Sequence, residues 1–490
     1  MTRWSVGETA EHLRAGRTTS LAVTEAYLAR IEALDPYIGA YLTVTADLAR
    51  AQAQAADARR AGGEDGPLLG VPYALKDLFT TAGVRTTAGS RILDSYVPPD
   101  DSAVYAALCD AGAVLLGKTN MDEFAMGSST ENSAFHPTAN PWDTSRVPGG
   151  SSGGSTAAVA AGMAAFGIGT DTGGSIRQPA ALCGVVGMKP TYGRVSRRGM
   201  IAFASSLDQA GPIARTVADA AAILGVLAGE DDLDATSARE AVPDYAAALT
   251  GDVQGLRVGV LAEYFTAGLD EAVRARVETA IDVLVDAGAR RVEVSMPDVH
   301  YAVATYYLIA TAESSANLAR YDGFRYGSSS HAPGLWERLA ETRGMGFGEE
   351  VKRRIILGTN ALSAGYVDAY YSRATQVRAL IRAEFERALE SCDVIVGPTV
   401  PAPAFPRGAK MDDPLAMYLN DIYTIALNLA GMPGLSVPCG LVDGLPVGLQ
   451  VMGGAFDEAT VLRTADAYER RAPFPSAPAP LDTASLAPIR

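Results

Sequence analysis

The sequence predicts an α/β fold, with a central mixed, mostly parallel sheet covered by helices. Short apolar runs that end near glycine alternate with helical patterns through residues 66–245, and such alternation is typical of a mostly parallel sheet. Of the 490 residues, 48% are hydrophobic and 20% are charged, which suits a large buried core. A helical pattern that runs almost unbroken through 301–390 predicts a helical layer beside that sheet.

The N-terminal segment, residues 1–65, is expected to be a group of helices. Ser20 is the expected N-cap of a helix whose apolar residues recur at helical spacing, and Pro36 is expected to end it. A second, alanine-rich helix is predicted from about Asp47 to Arg60.

Strand-like apolar runs follow in residues 66–245, the part of the chain with the densest glycine loops. These runs lie at 68–75, 113–116 and 164–168. Farther along, runs at 256–261 and 291–294 bracket a predicted helix over 270–287, which makes a βαβ unit of ordinary size.

Residues 391–471 are expected to return to the sheet. Strand-like runs lie at 394–396, 435–439 and 447–451, and Asp443-Gly444 between the last two is a strong signal for a two-residue hairpin. The tail over 472–490 is rich in Pro and Ala and is expected to be poorly ordered. One large domain is therefore predicted over residues 1–471.

Charge and cysteine usage narrow the function classes. The net charge of −15 argues against a long basic track, so any nucleic acid is expected to be held mainly by a partner. The four cysteines form no CxxC pair and are expected to be free thiols of a cytoplasmic protein. Charged residues begin at Arg3, and the longest apolar run, 157–169, is too short to cross a bilayer. Neither a signal peptide nor a membrane span is predicted.

Two glycine-rich loops that carry serines flank one alanine-rich helix. They read GGSSGGS over 149–155 and GTDTGGSIR over 169–177. Glycines beside a serine leave backbone N–H groups uncovered, which a carbonyl oxygen needs when it acquires negative charge. We expect the N–H groups of Thr172, Gly173, Gly174 and Ser175 to form such an oxyanion hole. A phosphate-binding loop is disfavoured, because the segment lacks GxxxxGK[ST].

A serine nucleophile needs a base, and the chain has only four histidines. The window around Ser151 matches the GxSxG pattern of a nucleophile elbow, yet residues 140–148 before it are turn-like and no histidine stands near the C-terminal end. Lys76 is the other candidate base, because it ends a strand-like run where burial would lower its pKa. Taken alone, a lysine in such a place is more often solvated.

Three motifs together resemble the amidase signature family in content and in order. They are GVPYALKD around Lys76, GGSSGGS around Ser151 and GTDTGGSIRQP around Ser175. The resemblance implies that Ser175 attacks an amide carbonyl, that Ser151 relays its proton and that neutral Lys76 is the base. It also implies a cis peptide bond between Gly150 and Ser151, and no metal or cofactor on this chain.

Further segments are similar to the glutamine-hydrolysing subunits of tRNA-dependent amidotransferases within that family. They lie at 189–212, 346–371 and 417–421, and the similarity extends over about 5–467 without a large gap. The resemblance implies a glutaminase subunit of a heterotrimer. Its two partner subunits would hold misacylated tRNA and use ATP and Mg²⁺ to amidate Glu-tRNA(Gln), Asp-tRNA(Asn) or both.

The same resemblance places glutamine on three side chains. Arg354 would bind the α-carboxylate, Asp421 the α-ammonium group, and Tyr306 would line the pocket. Such a pair of opposite charges suits a free amino acid. Arg353 and Tyr307 remain alternatives, because a slip of one residue would exchange them.

Two further interpretations rest on position. Asp171 and Arg177 are expected to brace the nucleophile loop by hydrogen bonding. The basic residues of 189–198 are expected to be a solvated edge, or a contact for tRNA or a partner.

Two other functions compete with the glutaminase subunit. The first is a stand-alone amidase that acts on another small amide, which segments 346–371 and 417–421 disfavour. The second is a non-catalytic scaffold, which would be expected to have lost Lys76 or a serine, whereas Lys76, Ser151 and Ser175 are all present.

Overall fold

The computed structural model describes residues 1–475, 483 and 486–489. In this part of the chain, eleven strands form one sheet. They are β1 (Tyr41–Val44), β2 (Pro72–Lys76), β3 (Val114–Thr119), β4 (Phe166–Thr170), β5 (Val186–Lys189), β6 (Ala210–Ala214), β7 (Arg257–Leu261), β8 (Arg290–Val294), β9 (Val394–Pro398), β10 (Gly434–Val442) and β11 (Leu445–Met452). Their order across the sheet is β1-β3-β2-β4-β6-β5-β10-β11-β9-β7-β8.

Helices cover this sheet. In the described part of the chain they are α1 (Val6–Arg14), α2 (Ser20–Ile38), α3 (Ala46–Ala61), α4 (Ala103–Asp110), α5 (Gly153–Ala160), α6 (Arg177–Cys183), α7 (Val217–Leu227), α8 (Glu271–Asp286), α9 (Ala302–Leu318), α10 (Leu335–Gly346), α11 (Glu349–Ala361), α12 (Arg373–Ser391), α13 (Pro414–Tyr418), α14 (Ile425–Ala430) and α15 (Glu458–Arg471). The α/β class and the mixed sheet are confirmed. Within the described ranges, none of these helices is long and apolar enough to pass through a lipid bilayer.

The expected predominance of parallel strands is wrong. Four neighbouring strand pairs of the described sheet are parallel, namely β2–β3, β2–β4, β7–β8 and β7–β9. The other six are antiparallel: β1–β3, β4–β6, β5–β6, β5–β10, β10–β11 and β9–β11. The parallel groups β3-β2-β4 and β9-β7-β8 are thus separated by a centre of antiparallel pairs. Antiparallel neighbours do not need the helical crossover that parallel neighbours need.

The parallel pair β2–β4 positions the candidate site. Leu75 lies opposite Ile168 in this pair, so both strands end at the same edge of the sheet. Lys76 is the last residue of β2, and Thr170 is the last residue of β4. The first glycine loop leads into α5, which packs on the same strands, and the second leads from β4 into α6.

The N-terminal helices follow the prediction only in part. The alanine-rich helix is confirmed as α3, but α2 is capped by the Thr19 hydroxyl rather than by Ser20, and it continues through Pro36. Proline there falls in the last turn, and the helix ends where Gly39 adopts a left-handed φ of 65°. Strand β1, between α2 and α3, was not predicted.

The C-terminal strands agree with the prediction. Strands β10 and β11 form an antiparallel hairpin around Asp443-Gly444, whose φ angles of 50° and 79° suit a two-residue turn. The helical layer is present as α9 to α12, with breaks at 319–334, 347–348 and 362–367. The prediction for the tail mainly concerns residues that lie outside the described ones.

Candidate active site

Lys76 ends β2 inside the protein, with no exposed surface. Its Nζ atom lies 2.8 Å from Ser151 Oγ, 2.9 Å from Ser152 Oγ and 2.8 Å from Thr170 Oγ1. Burial lowers the pKa of Lys76 to about 7, although three buried carboxylates oppose the shift. A large fraction of this lysine is therefore neutral near pH 7.

The three hydroxyls around Lys76 are not equivalent. Ser152 Oγ lies 3.1 Å from the carbonyl oxygen of Thr170 and donates there, so it accepts from Lys76. A neutral amine also has one lone pair that needs a donor, and the hydroxyls of Ser151 and Thr170 are within reach. The geometry therefore allows Lys76 to take the proton of Ser151.

The first glycine loop holds Ser151 beside the lysine. The peptide bond between Gly150 and Ser151 is cis, which confirms the prediction for this bond. The N–H of Gly150 donates to Gln178 Oε1 at 3.0 Å. A Cβ atom on Gly150 would lie 2.6 Å from the backbone nitrogen of Ser129, so only glycine fits here without a shift.

Ser175 lies on the second loop, just before α6, and is 8% exposed. Its carbonyl oxygen accepts the N–H of Ser152 at 3.2 Å, which joins the two glycine loops. Within the described ranges, the Ser175 hydroxyl has no hydrogen-bond partner. The Ser175 hydroxyl is therefore free to contact a substrate.

The predicted oxyanion loop presents three backbone donors. The N–H groups of Thr172, Gly173 and Ser175 have no acceptor among residues 1–475. The N–H of Gly174, in contrast, donates to Asp171 Oδ1 at 2.8 Å. This hydrogen bond occupies the N–H that Gly174 was expected to offer to an oxyanion, whereas the other three N–H groups have no acceptor among residues 1–475.

Asp171 and Arg177 brace this loop, as predicted. Arg177 Nε lies 2.9 Å from Asp171 Oδ2, and both side chains are fully buried. Burial opposes ionisation, but the charge and hydrogen bonds of Arg177 hold the pKa of Asp171 at about 2. Arg177 also donates to the carbonyl oxygen of Thr424 at 3.1 Å and to Gln450 Oε1 at 2.6 Å. The loop is thereby tied to the C-terminal segment.

Arg354 lies inside the protein on α11, 2% exposed. Its Nε atom donates to Glu350 Oε1 at 2.7 Å, and its guanidinium carbon lies 5.2 Å from the ring centre of Tyr307. The side chain of Arg353, in contrast, is 42% exposed. Between these two alternatives, only Arg354 faces the interior.

The two tyrosines on α9 have different surroundings. Tyr306 is 5% exposed, and a Cβ atom on Gly173 would lie 2.8 Å from its hydroxyl oxygen. Tyr306 therefore borders the oxyanion loop directly. Tyr307 stacks on Tyr418, with ring centres 3.9 Å apart, and supports Arg354 instead.

Asp421 is buried beside the same loop, 8% exposed. Its Oδ2 atom accepts a short hydrogen bond from the Ser128 hydroxyl, whereas Oδ1 has no hydrogen-bond partner among the described residues. A Cβ atom on Gly174 would lie 3.4 Å from that Oδ1 atom. Burial raises the pKa of Asp421 to about 7. A buried carboxylate oxygen without a donor is costly unless a ligand supplies one.

Comparison with known proteins identifies the family of this chain. The profile of the family described as Amidase matches residues 22–462. The chain belongs to the amidase family. The A subunit of the glutamyl-tRNA(Gln) amidotransferase of Roseiflexus sp. (strain RS-1) is 61% identical over 466 residues, which cover 95% of this chain and 96% of that protein.

Two solved structures of amidase-family proteins are similar throughout. The crystal structure of the A subunit of glutamyl-tRNA(Gln) amidotransferase from Thermotoga maritima is 42% identical, covers 98% of each chain and has a TM-score of 0.81. The peptide amidase from Stenotrophomonas maltophilia is 36% identical, covers 99% of this chain and 98% of its own, and also has a TM-score of 0.81. The amidase fold thus extends over nearly the whole chain.

The interpretation of the basic run in this amidase is wrong for two of its residues. Lys189 is fully buried, and Arg194 is 2% exposed and lies 3.5 Å from Glu458. Both side chains sit among interior carbonyl and carboxylate oxygens, so neither is a solvated edge or a contact for RNA. The burial of these two residues could not be predicted from sequence. A charged side chain is usually exposed, but it can be buried where the fold supplies a buried partner.

Three polar residues near the amidase site were also missed. Ser152 and Thr170 hold Lys76, and Ser128 donates to Asp421. The serine at 152 had a signal, because it lies within the GGSSGGS motif. Ser128 had none, since it lies nearly three hundred residues from its partner in sequence.

Proposed function

We propose that this chain is the glutamine-hydrolysing subunit of a tRNA-dependent amidotransferase. The observation that carries the proposal is the unpartnered Oδ1 of Asp421 among the described residues, next to the loop of Gly173 and Gly174. A ligand with an ammonium group would supply the missing donor. The similarity of the whole chain to the A subunits of two glutamyl-tRNA(Gln) amidotransferases supports glutamine as that ligand.

Opposite charges would hold the two ends of the amino acid. Asp421 would bind the α-ammonium group, and the terminal nitrogens of Arg354, which have no hydrogen-bond partner among the described residues, would bind the α-carboxylate. Tyr306 would line the side of the pocket against Gly173. The carboxamide would then lie at the oxyanion loop, within reach of Ser175.

Acylation would proceed by proton relay from one serine to the other. Neutral Lys76 takes the proton of Ser151, Ser151 takes that of Ser175, and Ser175 Oγ forms a bond to the amide carbon. The backbone N–H groups of Thr172, Gly173 and Ser175 stabilise the negative oxygen. The carbon–nitrogen bond then breaks, ammonia leaves with the proton returned through Ser151, and a γ-glutamyl ester remains on Ser175.

Deacylation would use the same groups in reverse. A water molecule gives its proton through Ser151 to Lys76 and attacks the ester carbon. The bond to Ser175 breaks, Ser175 regains a proton, and glutamate is released. Each cycle would therefore produce one ammonia and one glutamate from glutamine and water.

The ammonia would be used by a partner. In this proposal the chain acts in the cytoplasm within a heterotrimer whose two other subunits hold misacylated tRNA, bind ATP and Mg²⁺ and amidate the glutamyl or aspartyl group. This chain would bind no cofactor of its own. We also propose residues 1–471 as one amidase domain, made of N-terminal helices (1–65), signature core (66–245), helical layer (301–390) and returning strands (391–471).

The test is substrate choice in the assembled and the isolated protein. Tagged full-length chain should copurify with two partner subunits and should hydrolyse glutamine far faster than a simple uncharged amide such as butyramide. A stand-alone amidase would purify without partners and would prefer amides without the two charged groups. That result would contradict the proposal.

A further inference from the structure

Glu123 is a buried carboxylate that none of the steps above uses. It lies just after β3 and is 2% exposed. Its Oε2 atom accepts the N–H of Gly348 at 2.7 Å, and its Oε1 atom accepts a short hydrogen bond from the Ser90 hydroxyl. Both carboxylate oxygens are therefore engaged, one with the signature core and one with the helical layer.

The hydrogen bond from the Gly348 N–H to Glu123 lies at the N-terminus of α11. Gly348 is the N-cap of that helix and has no side chain with which to cap it. The first N–H groups of a helix need acceptors, and a carboxylate there is also favoured by the helix dipole. A Cβ atom on Gly348 would lie 2.5 Å from Glu123 Oε2, so glycine is required for this approach. Glu123 thus acts as a cap supplied from another part of the fold.

The helix that Glu123 caps carries Arg354. Glu350 lies in its first turn, and Arg354 follows one turn later with its Nε 2.7 Å from Glu350 Oε1. The Tyr418 hydroxyl donates to the same Glu350 oxygen at 2.8 Å. A shift of the first turn of α11 would therefore move Arg354 together with its partner.

The segment that contains Glu123 also reaches the other charged end of the pocket. Ser128 donates to Asp421, and two residues later the Thr130 hydroxyl donates to the carbonyl oxygen of Gly149 at 2.8 Å. The N–H of Gly153 donates to the same Thr130 oxygen at 3.1 Å. Residues 123–130 thus touch α11, Asp421 and the loop that carries Ser151.

Aromatic contacts reinforce the link to α11. The ring of Phe124, next to Glu123, lies 5.7 Å from that of Phe347, next to Gly348, and 4.9 Å from that of Tyr321. Phe124 and Ala125 have φ angles of 50° and 61°, which turn the chain sharply toward the helical layer. The approach of Glu123 to Gly348 is therefore held by packing on both sides.

We infer that Glu123 is a positioning residue that sets the place of Arg354 by anchoring the first turn of α11, and so tunes the affinity for the charged end of the substrate. It touches neither substrate nor reacting atoms. The kinetic part of this inference rests on the proposed function, whereas the anchoring of α11 does not.

The kinetic test compares two Glu123 variants in the full chain with its partner subunits. Glu123→Ala removes the acceptor and should raise KM for glutamine by about 10- to 100-fold, because misplacement of a binding group by about 1 Å has effects of that size. Its kcat and its hydrolysis of butyramide should stay within about 3-fold of wild type. Glu123→Gln keeps an acceptor oxygen and should restore KM to within about 5-fold of wild type.

Glu349→Gln is the matched control. It removes a negative charge from the first turn of the same helix, but its side chain is 86% exposed and its ion pair is with Lys352. Its KM for glutamine should stay within about 2-fold of wild type. Equal losses on glutamine and butyramide in Glu123→Ala, or an unchanged KM, would overturn the positioning role.

Hydrogen exchange tests the anchor without any substrate. In Glu123→Ala the amides of the first turn of α11 should exchange about tenfold faster than in wild type, while those of β2 and β4 should not change. Unchanged exchange there would refute the anchoring. If wild type proved unable to hydrolyse glutamine, the proposed function would fail, and this measurement would still decide the role of Glu123.

Discussion

The side-chain nitrogen of Lys76 lies 2.8 Å from the Ser151 hydroxyl, and both side chains are fully buried. In this buried setting the charged form of the lysine loses most of its hydration, which lowers its pKa to about 7. The same burial that lowers the pKa of the amine also holds it against the hydroxyl that it would deprotonate in the proposed mechanism. This contact underlies the proposed role of Lys76 as the base.

Ser175→Ala is expected to abolish glutamine hydrolysis and any acyl-enzyme, because in the proposed mechanism Ser175 Oγ forms the bond to the amide carbon. Amidation driven by added ammonia should survive in the assembled complex. Mass spectrometry of the stalled enzyme and an ammonia-dependent assay measure the two effects.

Ser391→Ala, at an exposed serine that ends α12, is the control and should behave as wild type. A γ-glutamyl adduct found on Ser151 in the wild type would reverse the roles of the two serines.

Lys76→Ala is expected to lower kcat by several orders of magnitude, because in the proposed mechanism Lys76, which contacts Ser151, is the base. In wild type the rate should rise with pH through about 7, since the protonated lysine cannot accept a proton. With butyramide as the substrate, whose hydrolysis should not depend on Asp421, the variant should lack this rise. A pH–rate profile from about 5.5 to 9 decides, and near-normal turnover of the variant would exclude Lys76 as the base.

Asp421→Asn is expected to lower kcat/KM for glutamine by about 10- to 150-fold, because a charge-assisted contact is worth roughly 1.5–3 kcal/mol. Hydrolysis of butyramide, which has no ammonium group, should change little. Steady-state kinetics on both substrates test this. Equal losses on the two would mean that Asp421 supports the fold and not the ligand.

Lys76 and Asp421, two residues of the candidate site, both have pKa values near 7, and together they should make the pH dependence substrate-specific. Below pH 7 both Lys76 and Asp421 gain a proton, and glutamine needs both in the deprotonated form. Its kcat/KM should fall by up to about 100-fold per pH unit, and that of butyramide by only about 10-fold. Asp421→Asn should reduce the glutamine slope to the butyramide slope. Identical slopes in wild type would contradict the role of Asp421.

Arg354→Gln and Arg353→Gln form a matched pair on adjacent positions of α11. Arg354 is buried, and its change should raise KM for glutamine by about 10- to 150-fold, since the proposed bidentate partner of the α-carboxylate would be lost. The side chain of Arg353 is 42% exposed, and its change should cost less than about 3-fold. The reverse order of effects would assign the carboxylate to Arg353.

Much of the fold could be predicted because its signals are local. The hairpin at Asp443-Gly444 and helix α3 follow from short patterns that set backbone angles or helical spacing. Strands β1, β5 and β6 were not predicted, and β5 and β6 pair with each other across a long loop. Their partners, and thus their direction, are not encoded in their own residues.

The candidate site divides in the same way. The identity of Lys76, Ser151 and Ser175, and of the glycines beside them, could be read from residue types and their order, because unusual backbone conformations and nucleophiles need particular residues. Burial could not. Lys76 and Lys189 are both fully buried. Lys76 is held by hydroxyls, including that of Ser151, whereas Lys189 is held by interior carbonyl oxygens.

Only the tertiary structure decided whether Arg353 or Arg354 faces the interior. It also decided which carboxylate oxygen of Asp421 lacks a hydrogen-bond partner within the described ranges. Arg353 and Arg354 have the same chemistry, and packing of α11 alone turns one outward and the other inward. Ser128 and Asp421, like Glu123 and Gly348, lie more than two hundred residues apart in sequence. The first pair meets because the returning segment packs on the signature core, and the second because the helical layer does. Such contacts arise from long-range packing, whereas the proposed nucleophile, relay and base, Ser175, Ser151 and Lys76, could be proposed from the residue types and order of their motifs alone.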